Sequence, residues 1–351
     1  MPELRLNLLT REWVVISTER TKEPSEFKRL ESKIPRPPYL KTCPFCPGNE
    51  HRTPEELLRV SEDDGWKIRV VANKYPALSR AGERRRMIDG ARRLVTGVGL
   101  HEVIIESPLH NTSPAFLDVK YVEDIIRIYR DRLVEAYNDE RVEHVIIFKN
   151  HGLASGTSIE HPHSQLVATP IVPVRFRDRV LAAMHYFDDT GECLTCDMLR
   201  MEREDGRRVI IDSSHFLTFI PYAALSPFHT WIFPKRHSAS FSGITEEEIR
   251  EIAVSLKTLL TKLFWGLDDP DYNLVISSSR PQDMGNEYSH WYLTIIPRIS
   301  QTAGFELGSG MFINPSLPEK SAEFLKSVHA SLGELFENSS PQTPLKNFWL
   351  S

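Results

Sequence analysis

The sequence predicts an α+β protein made by internal duplication, and three observations carry that prediction. Two cysteine pairs, Cys43-Pro-Phe-Cys46 and Cys193-Leu-Thr-Cys196, stand 150 residues apart. Strand-like and helix-like stretches follow each pair in the same order. Histidines recur at matching offsets: His110 lies eight residues before Asp118 and His237 eight before Thr245, while His110 to His161 spans 51 residues and His237 to His290 spans 53. Agreement in residue type, order and spacing marks a repeat.

Composition bounds what the chain can be. Its 351 residues are enough for two units of roughly 150 each. Hydrophobic residues at 40% and charged ones at 26% fit a globular core. A net charge of −5 leaves no basic surplus for a nucleic-acid scaffold. The basic stretch Arg80 to Arg93 is read as a solvated loop. No 18-residue apolar run or signal-like leader is visible, so a cytoplasmic protein with no membrane partner is expected.

The elements follow in order. Glu12 to Ile16 alternates as a strand does, a polar loop with Arg20 and Lys22 follows, and Ile34-Pro-Arg-Pro-Pro-Tyr39 is a stiff linker into the first cysteine pair. Ile68 to Val71 and His101 to Glu106 read as strands. Asp118 caps a helix whose apolar positions, Val122, Ile125, Ile126, Tyr129, Leu133 and Ala136, share one face. Val145 to Phe148 is a buried strand, and the stretch His161-Pro162-His163-Ser164-Gln165 is a strand after it. In the second half Leu217 to Ile220, His229 to His237, Leu274 to Ser277 and Ser289 to Ile296 are the matching extended segments. Thr245 and Glu248 form a capping box for a helix burying Ile249, Ile252, Leu256, Leu259 and Leu263. Residues 1–180 and 181–337 are the expected repeats, and 338–351 a flexible tail.

In a cytoplasmic chain the cysteine spacing favours metal over disulfides, and neither pair is expected to open a helix in the βαβ context of a thioredoxin-like motif. Zinc needs four ligands. The duplication supplies them as Cys43, Cys46, His110 and His161 in one site and Cys193, Cys196, His237 and His290 in the other. A closed tetrahedral set leaves no position for substrate, so both sites are expected to be structural.

Between the buried strand and His161 lies a small-residue loop in which Gly152, Gly156, Thr157 and Ser158 would let a backbone approach a phosphate. In an extended strand His161, His163 and Gln165 line one face. Where the first half has His163 and Gln165, the second has Tyr292 and Thr294. One catalytic centre per chain follows, in the half that keeps the His163 imidazole and the Gln165 amide.

The motifs Cys43-Pro-Phe-Cys-Pro-Gly, Ser107-Pro-Leu-His, Asn150-x-Gly-x-x-x-Gly-x-Ser-x-x-His-Pro-His-x-Gln and Gly304-Phe-Glu306 resemble the galactose-1-phosphate uridylyltransferase family of the histidine-triad superfamily, along nearly the whole chain. The resemblance implies two tandem histidine-triad-like repeats, each an antiparallel sheet with packed helices, and a homodimer. It implies that His163 attacks the α-phosphorus of UDP-glucose, glucose 1-phosphate leaves, and galactose 1-phosphate takes the uridylyl group. It further implies that Asn73, Asn150, Thr157 and Ser158 contact nucleotide or phosphates, that Gly156 lets the backbone approach, and that Phe305 and Glu306 reach the sugar from a neighbouring subunit.

The chain departs from the family pattern in two places. An early segment that often carries two arginines has Arg20 but Glu23 at the second place. The second cysteine pair is similar to the branch that includes plant ADP-glucose phosphorylase, which transfers adenylyl groups to inorganic phosphate, whereas Pro162 in His-Pro-His is similar to the uridylyltransferases. A third reading is a zinc-stabilised sugar-nucleotide-binding module without catalysis. Against it stands the intact pair His163 and Gln165, because binding alone needs no nucleophile.

Overall fold

The computed structural model describes residues 1–17, 22–28, 36–62 and 65–329. Arg20, the start of the proline-rich linker and the tail 338–351 lie outside the described residues. The elements are β1 (Glu3–Leu6), β2 (Trp13–Ile16), β3 (Glu56–Glu62), β4 (Gly65–Ala72), β5 (Arg86–Asp89), β6 (Arg92–Val95), β7 (Leu100–Ile105), α1 (Val119–Ala136), β8 (His144–His151), β9 (His163–Thr169), α2 (Val174–Thr190), α3 (Leu194–Asp205), β10 (Val209–Asp212), β11 (Phe216–Phe219), β12 (Thr230–Pro234), α4 (Glu246–Leu267), β13 (Tyr272–Ser277), β14 (Tyr292–Pro297), α5 (Gly304–Ser309), β15 (Phe312–Asn314) and α6 (Pro318–Ser327).

Ten strands form one sheet in the order β10-β11-β12-β14-β13-β8-β9-β7-β4-β3, every pair antiparallel. Counted outward from the central β13–β8 pair, both halves run fifth, fourth, third, second, first among the strands of their own half, except that the fourth and fifth are exchanged in each: β8, β9, β7, β4, β3 and β13, β14, β12, β11, β10. The same unusual exchange in both halves is the structural counterpart of the repeated histidine spacing. A small sheet of β1, β2 and β15 adds a parallel β2–β15 pair.

One sheet face is covered by α1 and α4. Asp118 caps α1 by accepting from Lys120 N at 2.9 Å, and Val122, Ile125, Ile126, Tyr129, Leu133 and Ala136 are all buried. The reciprocal Thr245–Glu248 box starts α4, which buries Ile249, Ile252, Leu256, Leu259 and Leu263. Both helices join β-strand residues such as Ile104, Ile147, Leu166, Leu274 and Leu293 in one core. This burial, rather than helix propensity, holds the two halves together.

Cys193 holds the N-cap position of α3 and Cys196 lies in its first turn, between α2 and β10 rather than in a βαβ unit. Three expectations need correction. The strand expected from His161 starts at His163: Pro162 has no N–H for the ladder, and its carbonyl instead accepts from Glu106 N at 3.1 Å. Likewise β14 starts at Tyr292, with His290 outside it. The basic stretch is not simply solvated, since Arg80 pairs with buried Glu102 at 3.0 Å and Arg84 with Glu143, leaving Arg86, Arg92 and Arg93 on the exposed β5–β6 hairpin.

Candidate active site

The face of the sheet opposite α1 and α4 carries the site. On β9, Ser164 and Leu166 turn toward the helices, while His163 and Gln165 point the other way. Cross-strand pairs share a face, so Phe148 of β8 lies with Gln165, and Asn150, two residues on, lies on that face too. Phe45 packs edge-on against both His161 and His163, with ring centroids 6.0 and 5.3 Å away.

His163 has its two ring nitrogens in different roles. Nδ1 lies 2.8 Å from the His161 carbonyl, which can only accept, so Nδ1 carries the proton and Nε2 keeps its lone pair. Burial pushes this imidazole down to about 4, against the opposing pull of the His161 bond, and the ring is neutral at pH 7.

Gln165 is oriented by a neighbour that sequence reading gave no role. The Ala77 N–H donates to His101 Nδ1 at 3.1 Å, so His101 Nε2 carries a proton and donates it to Gln165 Oε1 at 2.8 Å. The Gln165 amide group is thereby left as a donor. Asn73 sits beside this pair, with Nδ2 3.4 Å from Gln165 Oε1 and its own Oδ1 turned back to Tyr75 N. The second half keeps the framework without the amide: His229 Nε2 bonds Thr294 Oγ1 at 2.8 Å. The recurrence of His101 as His229 is the one signal that could have found it.

Beneath β9 lies a buried polar cluster that sequence reading also missed. Lys149 Nζ donates to Glu106 Oε2 at 2.6 Å and to the His163 carbonyl at 3.1 Å. Tyr129 donates to Glu106 Oε1 at 2.7 Å, and Ser164 donates to the same oxygen. Glu106 is 0% and Lys149 1% exposed at the side chain. Burial alone would raise the Glu106 carboxyl, but Lys149 and the two hydroxyls outweigh it and hold it below the usual carboxylate range. Charged residues closing apolar strands, as in Val103-Ile-Ile-Glu106 and Ile146-Ile-Phe-Lys149, are the available signal, since such groups are buried only when paired.

The loop after β8 takes its shape from glycine and from the second half. Gly152 has φ +80°, and a Cβ there would collide with the Asp271 carboxylate, which accepts from Ala154 N at 2.7 Å. Gly156 has φ +90° with open space around it, and Ser158 is exposed beside it. Thr157 is turned inward, donating to the Ile159 carbonyl at 2.9 Å. Asn150 Oδ1 accepts from Asn273 Nδ2 at 2.7 Å. Phe305 and Glu306 are not brought into this cluster by any hydrogen bond among the described residues. They lie on α5, where Glu306 accepts from Ala303 N at 2.9 Å, while the Phe305 ring is 45% exposed. Glu23 pairs with Lys320 at 2.7 Å.

Both cysteine–histidine sets converge as expected. Cys46 Sγ lies 3.6 Å from Nδ1 of His110 and of His161, and those nitrogens are 3.3 Å apart. Tetrahedral zinc with ordinary Zn–S and Zn–N bonds requires separations of about 3.6 and 3.3 Å. Cys196 Sγ lies 3.4 and 3.8 Å from Nδ1 of His237 and His290, and Cys43 and Cys193 complete the two groups. Three of the four histidines donate Nε2–H to a backbone carbonyl, His161 to Ser107, His237 to Asn286 and His290 to Pro234, which leaves Nδ1 for a metal. Burial pushes the His161 imidazole down to about 3, which leaves its Nδ1 lone pair available, while the Cys43 thiol, pushed up to about 11, would release its proton on binding a divalent cation.

Residues 1–173 match the family model described as galactose-1-phosphate uridyl transferase, N-terminal domain, and residues 180–292 match its C-terminal domain. The chain belongs to the galactose-1-phosphate uridylyltransferase family. Among members of this family, it is 38% identical to ADP-glucose phosphorylase of Arabidopsis thaliana over 334 residues, covering 93% of each chain. It is 27% identical to galactose-1-phosphate uridylyltransferase of Thermotoga maritima over 341 residues, covering 95% of this chain and 100% of the relative. The crystal structure of an Arabidopsis ADP-glucose phosphorylase with bound ADP-glucose superposes with a TM-score of 0.77 at 34% identity, over 94% of this chain and 99% of that one. A uridylyltransferase structure has the same fold, with a TM-score of 0.71 at 23% identity, over 93% and 98% of the two chains. Among the described residues no helix is long and apolar enough to cross a membrane.

Proposed function

We propose that this protein is a nucleotidyltransferase working through a covalent nucleotidyl-His163. The observation that carries this reading is the division of labour in the His163 ring, with Nδ1 committed to the His161 carbonyl and Nε2 free. The Nε2 lone pair attacks the α-phosphorus of a sugar nucleotide. The bond to the bridging oxygen breaks, and hexose 1-phosphate leaves with the electron pair. The Nδ1–H bond steadies the positive charge the ring acquires. An oxygen of the acceptor phosphate then attacks the same phosphorus, and Nε2 recovers its lone pair. The amides of Gln165 and Asn150, with the Gly156–Ser158 backbone, are the donors for the phosphate oxygens. Tyr292, buried and stacked on Phe233 at 4.6 Å, occupies the matching position in residues 181–337, which we read as a non-catalytic repeat beside the catalytic repeat 1–180.

For the donor we favour ADP-glucose with inorganic phosphate as acceptor, giving ADP and glucose 1-phosphate. The support is the 38% identity across 93% of a chain named for that activity, together with a complete second Cys2His2 set. The second reading, UDP-glucose with galactose 1-phosphate, rests on the family models, which carry the uridylyltransferase name. Zinc at the first set would fix His161 and hence β9, and at the second it would tie the start of α3 to the segments after β12 and before β14, without taking part in the chemistry at either. A homodimer in which Phe305 and Glu306 reach the partner's sugar is part of the same reading. Incubating the protein with ADP-glucose and with UDP-glucose, then weighing the intact chain, tests it: a gain of one nucleoside monophosphate that maps to His163 is expected. No adduct with either donor, or one on another residue, would overturn it.

A further inference from the structure

We propose that Asn273 and Arg298, both from the half that lacks a nucleophile, are positioning residues that lock Asn150 as a hydrogen-bond donor to the phosphates of the sugar nucleotide. The inference rests on the nucleotidyl-transfer reading above. Arg298 Nε donates to Asn273 Oδ1. A guanidinium has no acceptor, so the Asn273 oxygen must face it and Nδ2 must face away. That Nδ2 donates to the Ser155 carbonyl at 3.0 Å and to Asn150 Oδ1 at 2.7 Å. The Ser155 carbonyl can only accept. Each end of the relay is therefore a group with one possible role, and the orientation of both amides follows from chemistry.

With its oxygen tied back, Asn150 presents only its NH2. Asn150 pairs in register with Asn273 and shares the sheet face of Gln165 and His163. Gln165 is locked in the same sense by the Ala77–His101 relay. Two neutral amides thus flank the nucleophile, one fixed from each half, and both can only donate. That arrangement suits phosphate oxygens and rejects donors. Arg298 also ties the loop more broadly: its N–H bonds the Asp271 carbonyl at 2.6 Å, and the Asp271 side chain holds Ala154 N at 2.7 Å.

Asn273→Asp is the decisive variant. The carboxylate keeps its bond to Arg298 but cannot donate, so Asn150 must turn its own NH2 inward and present oxygen to the phosphates. Calorimetric binding of ADP and of UDP, with thermal melting alongside, reads the effect. The tighter of the two nucleotides is expected to lose at least tenfold in affinity, about 1.4 kcal/mol, with melting still cooperative although the lost bond to the Ser155 carbonyl lowers its midpoint. Asn150→Ala should lose a similar amount, and the double variant no more than either alone, which a merely structural role for Asn273 would not produce. Arg298→Met, which frees Asn273 to rotate, should show a smaller loss that also vanishes in the Asn150→Ala background, and serves if Asn273→Asp does not fold. Affinity within twofold of wild type, or losses that multiply in the double variants, would overturn the relay. Labelling of His163 separates the two readings. Wild-type protein that binds nucleotide through the relay yet never labels His163 sinks the transfer reading alone; labelling with an indifferent Asn273→Asp sinks the relay alone; binding of neither nucleotide sinks both.

Discussion

His163 has one nitrogen committed and one free, and single substitutions test that division. His163→Gly should abolish the covalent adduct while nucleotide affinity stays within about tenfold, roughly 1.4 kcal/mol. Added imidazole should restore part of the turnover by standing in for the ring. An adduct of wild-type yield in the glycine variant would remove His163 from the mechanism. Tyr292→Phe should leave turnover within a few-fold, because Tyr292 is 3% exposed in an aromatic cluster with Trp231 and Phe233, in the half we read as non-catalytic. Lys149 is a harsher case. Lys149→Met strands the Glu106 carboxylate in the core and should cost about 3–5 kcal/mol in a denaturant titration, whereas a change below about 1 kcal/mol would mean the pair is solvated.

At the scale of elements, the second cysteine pair joins the start of a helix to a set of residues that could hold a metal. Cys193 caps α3 and Cys196 lies in its first turn, so an ion held by them with His237 and His290 would pin that helix to β12 and β14. Purified protein is expected to carry close to two zinc ions per chain by elemental analysis. Cys193→Ser should remove one of them and lower the melting temperature more than it lowers turnover. Metal-free protein with full stability would refute a structural role. The capping box of α4 is an independent element-scale test. Thr245→Ala removes the hydroxyl that accepts from Glu248 N at 3.2 Å and should cost about 1 kcal/mol of stability.

At the scale of the whole molecule, the proposed covalent intermediate would dictate the kinetics. Initial rates should follow a ping-pong pattern, and labelled glucose 1-phosphate should exchange into the sugar nucleotide with no second acceptor present. Exchange that requires the acceptor would point to direct transfer instead. The continuous ten-stranded sheet makes the two halves one body at this site: β13 lies against β8, and Asn273 and Asp271 reach into the loop that β8 feeds.

Much of this was legible in the sequence because it lies in local spacing. The eight cysteine and histidine positions, the caps at Asp118 and Thr245, the buried helix faces and the pairing of His163 with Gln165 two residues apart all follow from periodicity, and a duplication displays each of them twice. Helices α2 and α3 and strand β3 are not predicted by periodicity: α2 buries only Ala183, α3 buries Thr195 and Glu202 beside Leu194 and Leu199, and β3 has no fully buried residue. What only the tertiary structure decided is where long-range polar partners meet. Glu106 with Lys149, His101 with Gln165, and Arg298 with Asn273 and Asn150 are tens to more than a hundred residues apart in the chain. No spacing rule predicts such pairs. They exist because a sheet brings distant strands about 5 Å apart, and a buried polar group must find its partner wherever the fold has placed one.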